Sequence, residues 1–130
     1  MRRQFKISEE DEECLVARSL SWESVIENNT KWLILLQYPI PEGYNQRQAT
    51  AALRISPSYP DDQIDMVYFY PALSLLNSKK INALSPFVID GNEYQQWSRH
   101  RRPGEWRPGV DNICTHLLLV DNWLKNELRI

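Results

Sequence analysis

Trp32-Leu33-Ile34-Leu35-Leu36-Gln37-Tyr38 is the stretch whose reading decides the fold. It is too short for an isolated helix and rich in strand formers, so it reads as a strand ended by Pro39, Pro41 and Gly43. Gln48 to Ile55 gives a second strand with Ala51, Leu53 and Ile55 on one face, and Pro57 and Pro60 break it. Ile64 to Tyr70 gives a third, with Ile64, Met66, Tyr68 and Tyr70 alternating against Asp65, Val67 and Phe69. Short connections between the three favour an antiparallel meander, because a parallel pairing needs a long crossover.

Working outward, Met1 to Ile7 is short and basic, and Ser8 caps an expected helix whose first turn, Glu9 to Glu13, suits the helix dipole. Leu15, Val16 and Leu20 would face inward. Ser21 reads as a second cap, opening a short helix through Trp22, Val25 and Ile26 that stops at Asn28-Asn29. On the other side, Ala72 to Leu76 suggests a turn of helix and Phe87-Val88-Ile89 a short strand. Asp111 or Asn112 then caps a closing helix, in which Ile113, Leu117, Val120 and Leu124 recur on one face and Leu128 extends it. Residues 1–30 are thus expected to be helical, 31–70 a meander, 71–110 irregular and 111–130 a helix. Together, 1–130 reads as one α+β domain with helices over one face of an antiparallel sheet.

The bulk numbers narrow the class. A chain of 130 residues can bury about two-thirds of its unfolded surface, and 42% apolar residues with five tryptophans supply a core to do so. A net charge of −2 creates no bulk field for nucleic acid, and the arginines form no stripe with a stacking platform. No apolar run is long enough to span a bilayer, and the charged start is unlike a signal peptide. Cys14 and Cys114 have no metal-ligand spacing and allow a single disulfide, so a reduced, cytoplasmic protein without metal or cofactor is the expectation.

Asp90 to Trp106 carries the chemistry. Asp-Gly-Asn-Glu-Tyr-Gln-Gln-Trp-Ser-Arg-His-Arg-Arg-Pro-Gly-Glu-Trp packs a hydroxyl, an imidazole, two tryptophans and three arginines into a segment with few aliphatic residues. Binding and catalysis concentrate on loops held by a rigid scaffold.

Two motifs and the order of elements bring in a family. Ser58-Tyr59-Pro60, followed by Trp106-Arg107-Pro108-Gly109-Val110-Asp111-Asn112-Ile113 ahead of the last helix, resembles the ubiquitin-conjugating enzyme fold. Tyr38-Pro39-Ile40-Pro41-Glu42-Gly43-Tyr44 and Trp97-Ser98-Arg99-His100 are similar to motifs of a bacterial branch of that superfamily. The resemblance implies a UBC-like α+β fold. It also implies a ubiquitin-like protein and an activating enzyme as partners, with a JAB-type metallopeptidase in the same pathway. The sequence departs from ordinary members at the catalytic cysteine: eight positions before Trp106 stands Ser98. The His-Pro-Asn motif is missing too, and Asp90 falls where its asparagine would be.

Two readings of Ser98 follow. In one it holds the tail of a ubiquitin-like protein as an oxyester, with His100 as base or orienting group, since i and i+2 of an extended segment face the same way. In the other the site is inactive and the protein only binds a ubiquitin-like partner, or is an unrelated α+β interaction domain. His100 could itself be the acceptor. Asp90 either orients His100, acts on the incoming amine or simply forms an Asp-Gly turn, and the turn is favoured. Cys114, in the first turn of the last helix, is the alternative nucleophile. Arg99, Arg101 and Arg102, with Trp97 and Trp106, are candidate partner-binding residues, although the tryptophans suit pinning the loop at least as well. His116 is expected to be a half-buried helix residue, with reaching the loop as the lesser alternative.

Overall fold

The structure is a computed structural model and describes residues 1–129. The chain runs α1 (Glu9–Ala17), β1 (Ser21–Glu27), β2 (Thr30–Pro39), β3 (Gln48–Ile55), β4 (Val67–Tyr70), β5 (Leu84–Ile89), β6 (Asn92–Trp97) and α2 (Ile113–Arg129). The six strands form one antiparallel sheet in the order β1-β2-β3-β4-β6-β5. The α+β architecture and the expected meander are both present, as β2-β3-β4.

Two tight turns account for the strands that sequence reading missed. Asn28 and Asn29, at φ 50° and 61°, connect the paired residues Glu27 and Thr30. Positive φ at both central positions is the hairpin turn whose twist matches its strands. The expected second helix is therefore strand β1, because Asn28-Asn29 reverses a hairpin instead of ending a helix. Asp90 and Gly91, at φ 51° and 78°, do the same between Ile89 and Asn92. The Asp-Gly turn is borne out, and the region expected to be irregular contains a full hairpin, β5–β6. Ala72 to Leu76 forms no helix. Strand β4 starts at Val67 because Met66 is left-handed at φ 59°, which interrupts the alternation and turns Ile64 inward.

Each face of the sheet buries a different set of side chains. Leu33, Leu35, Ala51, Leu53, Val67, Phe69 and Trp97 face the helices and meet Ile113, Leu117, Val120 and Leu124 of α2, the face the spacing predicts. A bulge between Leu35 and Tyr38, with Gln37 at φ 54°, shifts the strand by one residue. Tyr38 thereby lands on the helix side, where its hydroxyl donates to Asp121 at 2.5 Å.

The other face holds Val25, Trp32, Ile34, Ala52, Tyr68, Ile89 and Tyr94, with no helix over it among the described residues. Curvature buries it. Trp32 of β2 and Phe87 of β5 lie four strand positions apart, about 19 Å in a flat sheet, yet their rings are 5.7 Å apart. The curl is fastened at the rim by Arg2, which grips Glu23 and Asp90, while the Asp90 amide donates to Glu27.

The Tyr-Pro-x-Pro-x-Gly-Tyr turn docks on the end of α2. The Tyr44 hydroxyl donates to the Leu124 carbonyl at 2.6 Å, and Gly43, at φ 115°, leaves the room that Leu128 fills. At the opposite end of α2, Cys14 and Cys114 form a disulfide joining the two helices. The expectation of reduced thiols fails at this pair, and with it the cysteine argument for a cytoplasmic location. Among the described residues no helix is long and apolar enough to cross a membrane.

The disulfide joins residues separated by 100 positions. Closing so long a loop restricts the unfolded chain, so its loss is expected to cost about 2–5 kcal/mol. Urea unfolding of Cys14→Ser/Cys114→Ser, compared with the untreated protein and with protein held in reductant, should show this decrement. The reduced protein should match the variant.

Candidate functional site

Beyond Trp97 the chain leaves the sheet as an arm that returns to the body at Trp106. Its backbone starts by pairing with residue 83: the Ser98 amide donates to the Ala83 carbonyl at 3.1 Å. Three side chains then fasten it. The Arg99 guanidinium donates to the Asn82 carbonyl at 3.1 Å, pairs with Glu127 at 3.5 Å and lies over the Trp97 ring. Arg101 turns underneath, donating to the Ile64 carbonyl and to Nδ1 of His116. Trp106 donates its indole N–H to the Pro60 carbonyl at 2.9 Å and packs beside Tyr59.

The start of α2 is held as firmly. Asn112 caps it by accepting from the Thr115 amide at 3.0 Å, while the Thr115 hydroxyl accepts from the Asn112 amide. The Ile113 amide donates to the Tyr59 hydroxyl at 2.9 Å, and that hydroxyl donates to the buried carboxylate of Asp11.

His100 is exposed on the arm. Its side chain is 63% exposed, and Nδ1 lies 2.8 Å from Oδ2 of Asp65. A carboxylate on one ring nitrogen orients an imidazole and leaves the other nitrogen to work on a proton. Beneath this pair, His116 is fully buried, with Nε2 2.8 Å from the Met66 carbonyl and Nδ1 2.8 Å from Arg101.

The structure separates residues that the sequence places together. The Ser98 hydroxyl is half-buried and accepts from the Gln96 side chain at 3.2 Å, so the partner of Ser98 is Gln96 and that of His100 is Asp65. Asp90 does not join them. It sits in the β5–β6 turn with Arg2, and the six residues of β6 put it roughly 20 Å from Ser98. Trp97 is completely buried and belongs to the core, so it cannot bind a partner. Trp106, Arg99 and Arg101 are engaged within the molecule. Arg102 is exposed, and its side chain makes no hydrogen bond or ion pair among the described residues. Cys114 is tied up with Cys14. Asp65 went unnoticed because 35 positions separate it from His100 and it lay within an alternating strand pattern.

A family model for prokaryotic E2 family E matches residues 7–127, from just before α1 nearly to the end of α2. The chain belongs to that family. Comparison with the curated proteins and with the solved structures gives no significant match. As a prokaryotic E2 family member it is ubiquitin-conjugating-like, and the α+β layer with its closing helix is an E2-like fold. The arm in this E2-like body ends at Trp106, docked on Pro60 and Tyr59 ahead of α2. Among the described residues no group of three or more His, Cys, Asp or Glu side chains could hold a metal ion.

Burial lowers the His116 imidazole from its ordinary value of 6.5 to about 4; its bond to the Met66 carbonyl opposes the shift and the nearby Arg101 cation adds to it. The unfolded chain therefore binds a proton that the folded one refuses. Stability is fully present above about pH 6.5 and is lost as pH falls towards 4. Carboxylates held low in the fold, such as Glu23 beside Arg2 at about 2, lose their contribution only below about 4.5. Urea unfolding should lose about 2 kcal/mol between roughly pH 7 and pH 5. In His116→Gln that slope should be largely gone.

Proposed function

We propose that this protein accepts the C-terminal tail of a bacterial ubiquitin-like protein from an activating enzyme and passes it to an amine or another acceptor. Ser98 holds the tail as an oxyester, and His100, oriented by Asp65, is the proton acceptor. The observation that carries this reading is the exposed imidazole with a carboxylate 2.8 Å from Nδ1, two residues from a hydroxyl on the same arm.

The chemistry balances without a cofactor. The Ser98 Oγ attacks the carbonyl carbon of a tail carried as a thioester on the activating enzyme. A C–O bond forms, the C–S bond breaks, and the hydroxyl proton passes to His100, directly or through one water, and on to the leaving thiolate. In the second half an amine attacks the oxyester. A C–N bond forms, the C–O bond breaks, and Ser98 regains a proton. The reading keeps the protein in the cytoplasm, beside ATP-dependent activation, with a JAB-type metallopeptidase as the enzyme that would reverse the ligation.

A second reading has its own support. Ser98 contacts Gln96 and not His100, and both cysteines are in the disulfide. A body with neither an activated hydroxyl nor a free thiol suits a scaffold that positions a ubiquitin-like protein without carrying it.

Incubation with a bacterial activating enzyme and its ubiquitin-like protein, plus ATP, followed by intact mass measurement, separates the two. The carrier reading expects an adduct that hydroxylamine releases and Ser98→Ala abolishes. Asp65→Asn or His100→Ala should slow its formation by about 10²-fold or more. Binding without any adduct establishes the scaffold. An adduct that survives Ser98→Ala and disappears in Cys114→Ala under reductant moves the acceptor to the helix.

A further inference from the structure

Residues 64 to 66 run beneath the arm, and each is gripped by a different side chain. Arg101 donates to the carbonyl of Ile64, His100 meets the Asp65 carboxylate, and His116 reaches the carbonyl of Met66 at 2.8 Å. Arg101 also spans to Nδ1 of His116 at 2.8 Å, closing the set.

The partners dictate protonation. A carbonyl can only accept, so Nε2 of His116 carries a hydrogen; a guanidinium can only donate, so Nδ1 is bare. His116 is therefore neutral and of a single tautomer. Met66 at φ 59° is in the left-handed conformation that side-chain-bearing residues rarely adopt, and the bond from His116 to its carbonyl helps hold it there. Asp65 lies between the two held carbonyls, outside any strand. Its Oδ1 is shut off from solvent with no hydrogen-bond partner among the described residues, which leaves His100 as the group its carboxylate serves.

We infer that Arg101 and His116 are positioning residues for the His100–Asp65 pair. By holding the carbonyls on either side of Asp65 they aim its carboxylate at Nδ1 of His100 and leave Nε2 of His100 bare toward solvent. The inference rests on the proposed function for the purpose of the pair, but its test needs no activity.

The chain has two histidines, so a two-bond proton–nitrogen correlation spectrum of the ¹⁵N-labelled protein reads each imidazole separately. The spectrum is recorded at about pH 8.5, two units above the ordinary imidazole value, so that it reports tautomers. Wild type should show His116 as the Nε2–H form and His100 as the Nδ1–H form. In Arg101→Met and His116→Phe, the His100 signal should relax to the mixture of tautomers seen in Asp65→Asn. Arg101→Lys, which keeps the charge but presents one compact head in place of a fork, should give a partial loss. It serves as the variant if Arg101→Met does not fold.

Finding His116 as the Nδ1–H form in the wild type overturns the inference without any variant. So does a folded Arg101→Met, or a folded Arg101→Lys, with the His100 signal unchanged. A blank adduct assay leaves the tautomer result standing, whereas an unchanged His100 signal ends the inference even where an adduct forms.

Discussion

A half-buried cation without a bonded carboxylate is the constraint around which the arm is arranged. Arg101 lies between the arm and the body, and the groups it bonds are a carbonyl and an imidazole. Burying a charge is costly unless hydrogen bonds replace its water. A charged imidazole would repel the guanidinium and could offer it no lone pair, so His116 has to stay neutral. Its remaining N–H then needs an acceptor in the core, and the left-handed turn at Met66 supplies one. The conformation of the segment before β4, the tautomer of a buried ring and the path of an exposed arm are thus one problem with one solution.

The sheet was legible where its side chains alternate and illegible where its turns had to be recognised. Ala51, Leu53 and Ile55 share a face as their spacing requires, and so do Ile113, Leu117, Val120 and Leu124. Strand β1 was lost because Ser21 imitates a cap and Asn28-Asn29 a helix stop. A dipeptide at positive φ reverses a strand equally well, and Trp22, Val25 and Ile26 suit a strand better. Strand β6 was lost for a different reason. Asn92 to Trp97 reads as polar, and its register comes from pairing with both β4 and β5 more than from its own composition.

The site was half legible. Ser98, His100 and the arginines were visible as an unusual concentration of polar chemistry, and the arm is where that chemistry stands. Their partners were not visible, because ion pairs and hydrogen bonds across 35 or 28 positions leave no mark in local spacing. Proximity in sequence misled in the same way: Ser98 and His100 are two apart, yet each turns to another neighbour. The cysteines, read as lone thiols, sit 100 positions apart and meet because both helices pack at the same end of the sheet.

The start of α2 bears on how any acyl transfer on the arm would be assisted. A free helix N-terminus attracts negative charge. Here the amides of Asn112, Ile113 and Thr115 are already bonded to Thr115, to Tyr59 and Asp11, and to Asn112. Cys114, between them, is anchored to α1. That end of the helix has little left to offer an oxyanion at Ser98. On the proposed reading, the charge developing on the carbonyl oxygen has to be met from the arm itself. Arg99 and Arg101 are committed to Asn82, Glu127, Ile64 and His116. On that same reading Arg102, the arm's exposed arginine, is the cation that would move onto an incoming tail without taking the arm apart.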